Sequence, residues 1–181
     1  MNHILTEEQE KQLREQIENT YKEVWATLLH DKVKQNPPDF EWIVRLYKEI
    51  RYKLTYFLKQ NSPMRNSIEE SLDVELFDQM IRNGAFQGPE FYNLVNYIFD
   101  TTLKLGSPAR DNDVKKLREE ILTALSNKAT FAELVPLFFI NSNKAVDWVH
   151  KDLFEVKDNL QKVMNNTKKK KLIPFPFTSL S

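Results

Sequence analysis

Asn36-Pro37-Pro38-Asp39 opens, and Pro108-Ala109-Arg110-Asp111 closes, the stretch whose reading decides the fold. Between these marks the chain is interrupted only at Ser62-Pro63, Gly84 and Gly88-Pro89. Pro37-Pro38 stops one helix, because a proline ring lacks the amide donor and clashes with the preceding turn. Asp39 then offers a side-chain oxygen to the free amides of the next. From there Phe40, Ile43, Tyr47, Ile50, Leu54 and Phe57 recur every three or four residues, the period of a helix face. Trp42, Val44, Leu46, Tyr52, Tyr56 and Leu58 lie off that stripe, which predicts a central helix with neighbours on several sides.

The same punctuation organises the rest of the stretch. Ser62-Pro63 reads as an N-cap followed by proline at the first helical position, opening a short helix with Met64, Ile68 and Leu72. Asp73 caps another carrying Val74, Phe77, Met80 and Ile81, and Gly84 closes it in a left-handed conformation. Gly88-Pro89 starts a helix with Phe91, Leu94, Val95, Ile98, Phe99, Thr102 and Leu103 on one face, ended by Gly106. Asp111 is placed to cap the segment bearing Val114, Leu117, Ile121, Leu122 and Leu125.

Outward from the stretch, Thr6-Glu7-Glu8-Gln9 matches a capping box, and Leu13, Ile17, Tyr21, Val24 and Leu28 share a face that Trp25 and Leu29 broaden. Thr130-Phe131-Ala132-Glu133 is a second capping box, and Pro136 predicts that its helix is short or kinked. A final helix is expected from about Asn143 to about Met164, with Val146, Val149, Leu153, Val156, Leu160 and Val163 in strict three-four alternation. A seam of that length reads first as the core face of a bundle helix, and second as a self-association surface. Trp148 and Phe154 beside it either widen the core face or anchor a partner. The expected fold is therefore all-α: a single-domain bundle or array of seven or eight helices over residues 1–165, then a basic tail containing Pro and Phe over 166–181.

Composition narrows the function. With 181 residues the chain can bury roughly 70% of the surface its unfolded form exposes, enough for one core without a staple. Cysteine is absent, which removes disulfides and thiolate metal sites. The 26 basic and 26 acidic residues cancel, so no global field draws the chain to nucleic acid or anionic lipid. The residues after Met1 fit neither a signal nor a transit peptide, and no apolar run nears the ~20 residues a membrane helix needs. A cytoplasmic location is expected, with the nucleus as the alternative if the basic tail acts as an import signal.

Catalytic patterns are sparse. His3, His30 and His150 stand far apart, and none has the spacing of paired metal ligands. Asp111-Asn112-Asp113 begins like a calcium loop but lacks its glycine and distal glutamate. Glu69-Glu70 and Glu119-Glu120 are adjacent pairs that diverge around a helix. No phosphate loop or nucleophile elbow occurs. We expect no catalytic residue, cofactor, metal or small-molecule substrate, and a monomer or weak homo-oligomer that contacts an unidentified protein. The exception in composition is the run Lys168, Lys169, Lys170 and Lys171 before Leu172-Ile173-Pro174-Phe175-Pro176-Phe177, read as an extended or disordered segment. Its plainest role is a solubilising terminus; its sharper ones are contact with nucleic acid or acidic membrane, an import signal, or a Phe-Pro ligand.

Several of these marks also carry a resemblance. Tyr21-Lys22-Glu23-Val24-Trp25, Asn36-Pro37-Pro38-Asp39-Phe40 and Leu46-Tyr47-Lys48-Glu49-Ile50 resemble the opening of the T-complex protein 11 family domain. In the same order, Ile68-Glu69-Glu70-Ser71-Leu72-Asp73, Asn83-Gly84-Ala85 and Pro108-Ala109-Arg110-Asp111 resemble its later motifs, so the likeness covers roughly residues 20–125. From about residue 130 no match is apparent. The resemblance implies a helical, non-enzymatic protein associated with cyclic AMP and protein kinase A signalling, and it supplies no catalytic residue. Pro37, Pro38, Asp39, Gly84, Pro108, Arg110 and Asp111 are read as structural marks. Arg110 is expected to pair with a carboxylate or with carbonyls near Gly106. An accessory role through the lysine run, and an enzyme without a recognised motif, are the alternatives.

Overall fold

The first four helices begin where a side chain accepts from free backbone amides in the computed structural model, which describes residues 4–171. Thr6 accepts from the Gln9 amide and Gln9 returns the bond to Thr6, opening α1 (Glu7–Lys34). Asp39 accepts from the Trp42 amide at 3.1 Å to start α2 (Phe40–Thr55). Ser62 caps α3 (Pro63–Ser71) and Asp73 caps α4 (Val74–Arg82), which Gly84 ends at φ +65°. There follow α5 (Gly88–Leu105), a single 3-10 turn (Pro108–Arg110), α6 (Asp111–Ser126) and α7 (Phe131–Lys171). Among the described residues there are seven α-helices and no strand, forming a single helical domain. No described helix is long and apolar enough to cross a membrane.

Two helices organise the packing. α2 touches α1, α3, α4 and α7, as its extra apolar residues predict, while α7 touches α1, α2, α5 and α6. The core lies between them, with Ile43 and Ile50 of α2, Val95, Ile98 and Phe99 of α5, Ile121 of α6, and Phe138, Phe139 and Val146 of α7 almost wholly buried. At Gly106 a Cβ would meet Cγ2 of Val149 at 3.2 Å and the Thr102 carbonyl at 3.1 Å. The end of α5 thus approaches α7 more closely than most side chains allow.

Three expectations are corrected. The two helices anticipated after Thr130 are one helix, Phe131–Lys171, with Pro136 inside it. Proline there removes one backbone bond in the second turn. Burial of Val135, Phe138 and Phe139 on either side holds the helix together. Asn141 does not break it either, because its side-chain amide donates to the Leu117 carbonyl and to Glu120 at 2.9 Å each. Lys168 to Lys171 belong to this helix and are not extended. Pro174 disfavours helix only at its neighbour, lysine is a good helix former, and cations suit a helix C-terminus. The Pro/Phe segment expected beyond Lys171 lies outside the described residues.

The third correction concerns the long apolar stripes. α1 buries only Leu29 and Val33, with Trp25 partly covered, so the core takes one edge of the predicted face. The α7 seam is buried at Val146 and Val149, but Val156, Leu160 and Val163 stand exposed.

The α1–α2 junction yields a test. Asp39 binds Lys32 Nζ at 3.2 Å as well as the Trp42 amide, and both contacts hold its carboxyl below the ordinary 3.8. Asp39→Ala should cost about 1 kcal/mol, the usual value of an N-cap. Because the folded pKa is depressed, this stabilisation is present above the unfolded pKa and disappears as pH falls through the folded one. Denaturation midpoints of the two proteins should therefore converge below about pH 4.

Candidate functional site

The motif Pro108-Ala109-Arg110-Asp111 does not act as anticipated. Asp111 has helical backbone angles (φ −54°, ψ −43°) and is the first residue of α6 rather than its cap. Capping passes to Ser107, whose hydroxyl accepts from the Ala109 amide at 3.4 Å. Ser107-Pro108 repeats the grammar of Ser62-Pro63, and the 3-10 turn runs straight into α6. Asp111 keeps only its interaction with the helix dipole, so Asp111→Ala should cost about 0.5 kcal/mol, less than Asp39→Ala.

Arg110 does find a carboxylate. Its Nε and Nη2 donate to the two oxygens of Asp152 on α7 at 2.8 and 3.0 Å, a bidentate pair across 42 residues of sequence. The Asp152 hydrogen bond raises the Arg110 pKa above its ordinary value. The Arg110 guanidinium also lies 5.4 Å from the Trp148 ring centre, and Lys144 Nζ reaches the same ring at the same distance. Trp148 is half-buried and packs against the core. The cluster locks the start of α6 onto α7, with the fork geometry that makes arginine suited to the task.

Phe154 is different. It is 55% exposed and meets Phe57 edge-on at 6.2 Å. Phe57 and Tyr56 both lean on His150, with centroids at 4.9 and 5.1 Å, and Tyr56 meets Tyr52 at 5.7 Å. Tyr52 and Tyr56 are 62% and 45% exposed. Lys53 of α2 donates to Asp147 of α7 at 2.7 Å, fixing the two helices that supply these rings. The result is an aromatic surface patch built from the end of α2 and the middle of α7. Tyr52, Tyr56, Phe57 and His150 were not among the expected site residues. The sole signal was that Tyr52 and Tyr56 fell off the α2 stripe.

The other expected residues are spread apart. Pro37, Pro38 and Asp39 shape the α1–α2 junction and Gly84 the α4–α5 turn, while Lys168 to Lys170 are exposed at the far end of α7. An open groove of about 530 Å³ runs beside α3 and α4, lined by Arg51, Asn66, Glu69, Glu70, Asp73 and Glu75. Glu69 in it is held by Arg65 at 3.0 Å. Among the described residues no group of three or more His, Asp or Glu side chains could hold a metal ion.

The family model for T-complex protein 11 matches residues 2–171. The chain belongs to the T-complex protein 11 family. The match runs on through α7, which corrects the expectation that the likeness stops near residue 130. Human T-complex protein 11-like X-linked protein 1 is 34% identical over 101 residues, 55% of this chain and 19% of the relative. The rat T-complex protein 11 homolog is 34% identical over 106 residues, covering 56% and 18%, and the human homolog 31% over 109, covering 60% and 20%. The matched part thus spans about a fifth of the length of these family members. No solved structure gives a significant match.

Proposed function

We propose that this chain is a non-enzymatic interaction module that binds a protein partner through the aromatic patch of α2 and α7, and that it serves signalling of the cyclic AMP and protein kinase A type. The observation that carries the reading is the cluster Tyr52, Tyr56, Phe57, His150 and Phe154, with three of its rings about half exposed or more. Tyrosine and other aromatic rings dominate the energetics of protein interfaces because they bury large area with few rotatable bonds. An exposed aromatic cluster costs solubility and returns nothing to the core, so a partner is its natural occupant. Family membership supplies the signalling half of the reading and is an argument by analogy.

Affinity capture tests both halves. The wild-type chain and Tyr52→Ser/Phe154→Ser would be presented to an extract of the source cells and, separately, to purified protein kinase A. Both side chains are exposed, so thermal midpoints should agree within about 2 °C, and the double variant should lose the partner. Capture of the kinase by the wild type alone supports the whole reading. Capture of another protein keeps the module and removes the kinase. Equal capture by both chains overturns the patch.

A further inference from the structure

Two helices leave the core with their apolar stripes uncovered. On α1, Leu13, Ile17, Tyr21 and Val24 are between 46% and 70% exposed. On α7, Val156, Leu160, Val163 and Met164 are between 55% and 62% exposed. Such periodic stripes bury themselves when a matching helix is available. These two do not bury each other within one molecule.

Their flanking charges are opposite. Between Glu7 and Glu18 there are five glutamates against two basic residues, whereas from Leu160 to Lys171 there are five lysines and no carboxylate. Lys162 holds Asp158 on its own helix, and Lys168 to Lys170 point into solvent. Laying the acidic start of α1 along the basic end of α7 requires the helices to run antiparallel. In that register Leu13 meets Met164, Ile17 meets Leu160 and Tyr21 meets Val156.

We propose that the amino-terminal half of α1 of one copy packs antiparallel on the carboxy-terminal half of α7 of a second copy, and reciprocally, giving a two-fold dimer. The pairing is isologous, so two copies close the contact. Each helix pair is about 27 Å long at 1.5 Å per residue. Two such contacts bury roughly 1,500 Å², within the usual size of a specific interface. The surface is separate from the aromatic patch: Phe154 points roughly 120° around α7 from Leu160 and roughly 160° from Val156.

Because the chain has no cysteine, single-cysteine variants report the contact directly. Ile17→Cys mixed with Leu160→Cys under mild oxidation should give a disulfide-linked pair of different chains, in excess over either variant alone. Sedimentation of the wild type from roughly 1 to 200 µM should move from 21.5 kDa toward twice that mass, and Leu160→Gln/Val163→Gln should weaken the association about tenfold or more with an unchanged thermal midpoint. A monomer throughout this range overturns the proposal. So does cross-linking that favours like chains, which would mean α1 on α1 or α7 on α7. Vesicles containing anionic lipid form the last arm. A monomer that binds them and loses them on Leu160→Gln/Val163→Gln would assign the α7 stripe to a membrane, against the dimer.

Discussion

Replacing Phe138 with alanine should lower the free energy of unfolding by about 4 kcal/mol, the range for a fully buried phenylalanine. The ring is 1% exposed and sits edge-on to Phe91 at 6.2 Å and to Phe139 at 5.0 Å. Ile43 of α2, Phe77 of α4, Phe86 before α5 and Val135 of α7 line the same pocket, whose free space is only about 10 Å³. Truncation therefore opens a cavity that rings fixed on four different helices or their connections cannot collapse to fill. Small domains have about 5 to 15 kcal/mol in total, so the variant loses a large fraction of its stability. Urea denaturation measures it. A loss below about 1 kcal/mol would mean that α7 is not seated in the core as described.

Arg110→Ala should cost about 2 kcal/mol. It removes two charge-assisted hydrogen bonds and the contact with Trp148, and leaves Asp152 partly buried without its cation. Arg110→Lys should recover only part of the loss, since an ammonium cannot offer the bidentate fork. In a double-mutant cycle with Asp152→Ala, a coupling of about 1 to 2 kcal/mol is expected. Near-zero coupling would make the family motif a surface feature and would reopen its role as a ligand site.

How far the residues themselves disclosed this arrangement varied with the range of the interaction. Thr6, Asp39, Ser62, Asp73 and Gly84 act on backbone groups within one turn, so their roles were legible from spacing. Pro136 was read by its local cost, yet the burial of Phe138 and Phe139, supplied by distant helices, outweighs one missing hydrogen bond. Periodicity located the stripes of α1 and α7 correctly as apolar faces. It carries no information on what covers a face, which is why Ile17 and Leu160 were expected in the core and lie outside it. Arg110 advertised a need for a carboxylate but not which one, because Asp152 is brought near only by the packing of α6 on α7. The aromatic patch was least visible, since Phe57 and Phe154 become neighbours only through the packing of α2 on α7.

A partner docked on the proposed patch should shield its side chains from hydroxyl radicals, which footprinting reads residue by residue. Tyr92, 54% exposed on α5, serves as an internal control. With a captured partner bound, oxidation of Tyr52, Tyr56 and Phe154 should fall while that of Tyr92 is unchanged. Protection of Tyr92 with Tyr52 and Phe154 left as reactive as in the free chain would contradict it.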